Sequence, residues 1–177
     1  MTNESEPVIN KDLAVQHPRY GQHDPYLAQS QEMGFIEVMN EFEAGHRFGG
    51  WAKGYGEFTR LENSAGASIP DAIFLCQGYI GFMELKIRYG RYIYGPPFQM
   101  AYAVRASHHL NDWQHHYIVY EPDTFKVYTV KQVRGCPSEA RGNKVRYDIS
   151  GLKPVFQVDD AAGFEKFIEY LMKQAFD

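Results

Sequence analysis

A chain of 177 residues with 44% hydrophobic content can build one domain with a buried core and is too short for two of ordinary size. Its two cysteines, Cys76 and Cys136, stand in no CxxC or finger spacing, which excludes a disulfide framework and a structural zinc; no apolar run approaches the roughly 18 residues of a membrane span, and the start lacks a basic-then-apolar leader pattern, so a reducing cytoplasm is the expected compartment. The net charge of −4 argues against a polyanionic partner only until it is divided along the chain: residues 1–84 hold 5 Lys/Arg against 12 Asp/Glu, whereas residues 85–153 hold 11 against 5, so the second half is basic.

Residues 1–30 are polar, carry Pro7, Pro18 and Pro25, and show no periodicity; they are expected to form a loose arm, with residues 31–177 as a single domain. Residues 31–45 predict a helix, with Phe35, Ile36, Met39 and Phe42 at helical spacing as its core face and Gly45 as its stop. Residues 49–56 are glycine-rich but match neither GxxxxGK[ST] nor GxGxxG, and read as a flexible turn into a first strand over residues 57–62. Residues 69–76 and 79–87 read as strands joined through Gln77-Gly78, with Gly supplying the positive φ of a two-residue turn. One face of this hairpin carries Ile73, Leu75, Ile80 and Phe82, the other Ala72, Phe74, Tyr79, Met83, Leu85 and Ile87. Apolar residues on both faces predict an α/β architecture, with a central sheet covered by helices on each side.

Residues 88–95 interleave Arg88 and Arg91 with Tyr89, Tyr92 and Tyr94, a mixture suited to phosphate contact and stacking, and no acidic residue occurs from Leu85 to Asn111. Pro96-Pro97 pre-sets a helix start, with Met100, Ala101 and Val104 as its core stripe and Gln99 in its first turns. His108-His109 and His115-His116 lack an HExxH pattern and are expected to cap a helix or face solvent. Residues 116–121 and 125–130 predict a second hairpin around Pro122-Asp123, with proline in a type I turn. Lys131, Arg134, Arg141, Lys144 and Arg146 then fall in a stretch read as a basic loop or irregular strand, and Phe164, Phe167, Ile168, Leu171, Met172 and Ala175 mark a terminal helix behind a capping Asp159 or Asp160.

The chemistry concentrates in the first hairpin. Paired positions of a two-residue hairpin share one sum, which places Asp71 opposite Glu84, with Lys86 two residues further along the same face. Two facing carboxylates repel unless a cation offsets them. Mg²⁺ suits the position, because it needs only one or two carboxylates and fills its remaining sites with water and substrate phosphate oxygens. Such a cation would acidify water and polarise a phosphate, while Lys86 could orient the attacking water and neutralise charge on the phosphoryl oxygens.

Pro70-Asp71 and Glu84-Leu85-Lys86 resemble the motif of the PD-(D/E)xK nuclease superfamily, and the surroundings are similar to its small phage and archaeal Holliday junction resolvases and VRR-NUC-like members. The resemblance spans roughly residues 33–130 and departs from the VRR-NUC pattern after Lys86, where the chain turns to the Arg/Tyr segment. It implies a restriction-endonuclease-like core with a mixed sheet flanked by helices on both faces. It also implies a metal-site Glu on the first helix (Glu37, or Glu41 on the same face), a ligating carbonyl at Leu85 and an assisting Gln99. The implied activity is Mg²⁺-dependent endonucleolytic cleavage of DNA, with Mn²⁺ able to substitute, leaving a 5′-phosphate and a 3′-hydroxyl. Branched or junction DNA is the expected partner, a homodimer the expected assembly, and a host cytoplasm the compartment if a phage encodes the chain. Arg88, Arg91, Tyr92, Arg105, Lys131, Arg134, Arg141, Lys144 and Arg146 are the expected nucleic-acid contacts. A nuclease of linear duplex or single strands and a non-cleaving binding protein of the same fold are the alternatives, separable by substrate competition and a sensitive nicking assay.

Overall fold

The computed structural model describes residues 41–61 and 69–176. In chain order these form α1 (Glu41–Ala52), β1 (Glu57–Arg60), β2 (Ala72–Cys76), β3 (Tyr79–Ile87), β4 (Tyr92–Gly95), α2 (Pro97–Ala106), β5 (His115–Glu121), β6 (Thr124–Thr129), α3 (Val130–Gly135), β7 (Ser138–Arg141), β8 (Lys144–Asp148), β9 (Phe156–Val158) and α4 (Ala161–Phe176). Six strands make a central sheet in the order β1-β2-β3-β5-β6-β9. It is mixed, with β3 and β5 parallel and every other neighbouring pair antiparallel. A parallel step needs a long crossover; here residues 88–114 provide it through β4 and α2, and β4 leaves the main sheet to pair with β8 in a three-stranded sheet β4-β8-β7.

The two faces of β3 divide the protein. Odd-numbered Met83, Leu85 and Ile87 point into a core shared with α1 and α4, built around Phe48, Phe74, Phe125, Phe164 and Phe167. On the other face a second core joins Tyr117 and Val119 of β5 to Ile93, to Ala103 of α2, to Val130 and Val133 of α3 and to Tyr147 of β8. The chain is therefore an α/β fold whose central mixed sheet is flanked by helices on both faces, as expected. Coverage of the second face stops short of the hairpin tip, where Leu75 and Ile80 remain 39% and 49% exposed.

Several expected boundaries move, each for a physical reason. The first helix does not stop at Gly45 but runs through Gly49 and Gly50 to Ala52. A Cβ at Gly45 would come within 2.7 Å of Leu85, and one at Gly49 within 2.7 Å of Phe58, so these glycines trade about 1 kcal/mol of helix propensity each for close approach to the sheet. Phe42 is 58% exposed rather than in the core, with the Arg60 guanidinium over its ring; Glu37 and the expected core residues Phe35, Ile36 and Met39 lie outside the described residues. The stretch expected to be a basic loop or irregular strand opens with the helix α3, closed by a reciprocal capping box between Thr129 and Gln132, and continues in strands as the β7–β8 hairpin. Asp123 has φ 67°, which marks the Pro122-Asp123 turn as type II rather than type I. The terminal helix forms as expected, with Asp160 Oδ1 accepting from the Gly163 N–H at 2.7 Å.

The β2–β3 hairpin pairs Ala72 with Met83 and Cys76 with Tyr79, in the expected register. Gln77 and Gly78 both have positive φ, 47° and 87°, the signature of a type I′ turn that strongly favours Asn-Gly. Gln77→Asn should therefore raise stability by roughly 0.5–1 kcal/mol. Urea unfolding would show a higher midpoint at unchanged slope; an unmoved or lower midpoint would remove backbone strain at position 77 as its explanation.

Candidate active site

β2 begins at Ala72 and not at Ile69, and the early end of the ladder builds the site. Even-numbered residues of β3 direct their backbone N–H groups at β5, as Phe82 does to Gln114 and Arg88 to Tyr120. Odd-numbered residues face β2, so Leu85 looks across to a point where β2 has already ended. Its N–H is accepted instead by the Asp71 carboxylate, Oδ2, at 2.9 Å, and its carbonyl accepts from the Lys86 ammonium at 2.9 Å. Asp71 thus continues the hairpin register through its side chain while its own carbonyl accepts from the Leu61 N–H. Asp71, Glu84 and Lys86 come together at this point, as their spacing predicts.

Lys86 is 3% exposed, and its Nζ lies 3.1 Å from Asp71 Oδ2 and 3.8 Å from Glu41 Oε1. Burial alone would lower its pKa, but the carboxylates of Glu41, Asp71 and Glu84 hold it above the ordinary lysine value, so the ammonium stays charged. Glu41 thereby joins the site from α1. Glu84 is fully buried, and among the described residues neither of its oxygens has a hydrogen-bond partner. Burial pushes its carboxyl above the usual range, an effect that His115 and Lys86 offset only in part.

α2 brings Gln99 into a cleft that Lys86 also lines, with Tyr94, Gly95, Met100, Tyr117 and Tyr147. Gln99 is 8% exposed and its Oε1 has no partner among the described residues. Gly95 leaves this oxygen room, since a Cβ there would crowd it at 3.2 Å and would lie in ordinary contact, 3.8 Å, with Lys86 Cε.

Among the described residues no three His, Cys, Asp or Glu side chains close into a ready-made metal cage. Two carboxylates and a carbonyl nevertheless suit a hard cation that keeps its waters. Asp71, the free oxygens of Glu84 and the Leu85 carbonyl supply that donor set, and the unsatisfied buried Glu84 is the feature a cation would explain.

The basic residues fall into two groups. Arg105, Lys131, Arg134 and Lys144 are exposed, and Lys144, beside the β7–β8 turn, interacts favourably with Glu41. Arg88 pairs with Glu121, Arg91 with Asp148, and both Arg141 and Arg146 with Glu139. A phosphate would have to share these four guanidinium groups with their carboxylates. Arg146 and Arg91 also lie over the Tyr92 ring, 4.5 and 5.7 Å from its centroid. The Arg91 hydrogen bond, helped by Ser150, holds the Asp148 carboxyl down at about 2.

His115 and His116, expected at a cap or in solvent, are both buried in the central strand β5, at 2% and 0% exposure. The strand expected over residues 116–121 already begins at His116, and starting it one residue earlier places His115 in it as well, where it pairs with Phe82. Exposed His108 and His109, just after α2, fit the expectation.

No family model and no curated protein matches this chain. Among solved structures it is similar to Hjc, a Holliday junction resolvase from the archaeal hyperthermophile Archaeoglobus fulgidus. The identity is 14%, over 55% of this chain and 80% of that one, with a TM-score of 0.38. At that level the likeness lends no weight to any reading of the site. No helix among the described residues is long and apolar enough to cross a membrane.

Proposed function

We propose that this chain is a Mg²⁺-dependent nuclease that hydrolyses phosphodiester bonds in DNA, with branched or junction DNA as its preferred substrate. The observation that carries the reading is the Lys86 ammonium, buried against Asp71, the Leu85 carbonyl and Glu41 at the point where β2 stops covering β3. Asp71, Glu84 and the Leu85 carbonyl would hold the cation. Bound there, Mg²⁺ would polarise the scissile phosphate and favour ionisation of water; Mn²⁺ would substitute. Lys86, fixed by three oxygens, donates to a phosphoryl oxygen and offsets the charge that builds there. Gln99 Oε1, without a partner among the described residues, accepts from the attacking water and sets its direction. Exposed Arg105, Lys131, Arg134 and Lys144 supply sequence-independent phosphate contacts, and the Arg91–Tyr92–Arg146 stack offers a platform for a sugar or base.

Cutting both strands of a junction calls for two copies, and the uncovered face at Leu75 and Ile80 provides apolar surface for a partner copy. The test is cleavage of labelled four-way junction, linear duplex, single-stranded DNA and RNA in Mg²⁺ or EDTA. Metal-dependent cutting with a wide preference for the junction is expected. Equal or better cutting of linear or single-stranded substrates would keep the nuclease and discard the junction role. Binding without cutting on any substrate would discard the enzyme.

A further inference from the structure

The two carboxylates of the site are held very differently. Asp71 Oδ2 accepts two hydrogen bonds, from the Leu85 N–H and from Lys86. Glu84, the more deeply buried, accepts none from the described residues. A buried carboxylate without donors is strongly disfavoured. Facing it is a second group in the same condition: His115 is 2% exposed, neither ring nitrogen has a partner among the described residues, and its Nε2 stands 3.7 Å from Glu84 Oε1. The β3–β5 register fixes this approach, because Phe82 pairs with His115 and Glu84 with Tyr117, which sets His115 two residues behind the partner of Glu84 and so on the same face. The Phe82 ring, 6.1 Å from the imidazole, packs beside it.

Resting on the reading of Glu84 as a metal ligand, we propose that His115 is the positioning residue for Glu84. Its Nε2–H donates to Oε1 and thereby turns Oε2 towards the cation. Closing the gap from 3.7 Å to a hydrogen bond of about 2.9 Å gives Glu84 Oε1 a donor and His115 Nε2 an acceptor in one contact. The imidazole acts through the carboxylate and touches neither cation nor substrate. Outer partners of this kind, when removed, typically cost 10–100-fold in metal affinity.

The experiment is Mn²⁺ binding to the full chain by titration calorimetry, for wild type, His115→Gln and His115→Asn. A glutamine amide reaches about where Nε2 stands; an asparagine amide stops near Nδ1 and cannot reach Glu84. His115→Gln should bind Mn²⁺ within a few-fold of wild type, and His115→Asn roughly 10–100-fold more weakly. Thermal unfolding in EDTA checks that each variant is folded; if the Asn variant is not, His115→Met, which fills the space without a donor, takes its place. The positioning role is overturned if the Asn variant binds like wild type, if the Gln variant falls as far as the Asn variant, or if nitrogen coupling in the Mn²⁺ resonance spectrum makes His115 a ligand itself. Wild type binding no Mn²⁺, or Asp71→Asn binding as tightly as wild type, would instead sink the metal-site reading and the role of His115 with it.

Discussion

Lys86→Ala is expected to abolish cleavage and to make the stability of the fold depend on a divalent cation. The Lys86 ammonium is the buried counter-charge to Asp71, Glu41 and Glu84, and alanine leaves these carboxylates without it. Breaking a buried pair costs about 3–5 kcal/mol. The lower end applies here, because Asp71 and Glu41 are 24% and 49% exposed and water screens them. In EDTA the variant should therefore melt well below wild type, and millimolar Mg²⁺ should return most of the difference, since a cation bound only by the folded state stabilises it. Asp71→Asn should behave in the opposite way. It removes a charge from the cluster while its amide oxygen can still accept from the Leu85 N–H, so the fold survives and cleavage falls by at least about 10³-fold. Junction binding should persist in both variants, because the exposed basic residues are untouched. Calorimetric melts with and without Mg²⁺, beside a cleavage assay, decide the matter. Full activity in both purified variants would end the nuclease assignment, and a Lys86→Ala melt indifferent to Mg²⁺ would end the assignment of a cation site beside Lys86.

How far this site can be read without a structure depends on which interactions are local. That Asp71 and Glu84 reach one site follows from one turn and the two-residue period of strands, which set the hairpin register through Gln77-Gly78. That Asp71 itself lies off the ladder was not legible, because it depends on Pro70, which has no N–H, and on a side chain taking over from the backbone at Leu85. Gly45 and Gly49 looked like a helix end and a flexible turn because intrinsic propensity penalises glycine in a helix; contacts with Leu85 and Phe58, far along the chain, reverse that preference. The ion pairs of Arg88, Arg91, Arg141 and Arg146 were equally hidden, since a count of basic residues does not show which carboxylates the fold sets beside them. His115 was missed for a related reason: its importance comes from β5 running parallel to β3, a pairing between segments almost thirty residues apart that no local pattern encodes.

His116 carries the second large expectation, a loss of stability in mild acid. It occupies the middle of the sheet between Met83 and Thr129, edge-on to Phe167, fully buried and without a hydrogen-bond partner among the described residues. Burial, with His115 adding to it, lowers its pKa from the ordinary 6.5 to about 3. A histidine depressed in the fold stays neutral there and takes up a proton on unfolding. Its contribution is thus complete above pH 6.5 and is lost as the pH falls from there towards 3. Between pH 8 and pH 5 that loss amounts to about 2 kcal/mol, at roughly 1.4 kcal/mol for each pH unit below the unfolded-state value. His116→Leu cannot take up that proton, and it also exchanges two unsatisfied ring nitrogens for apolar contact with Phe167, which should stabilise the fold by about 1 kcal/mol even at pH 8. Urea unfolding of wild type and variant at pH 8, 6.5 and 5 should show the gap between them widening by about 2 kcal/mol on the acid side. A gap that stays constant with pH would mean that the imidazole finds a proton-sharing partner within the fold and that its burial carries no acid liability.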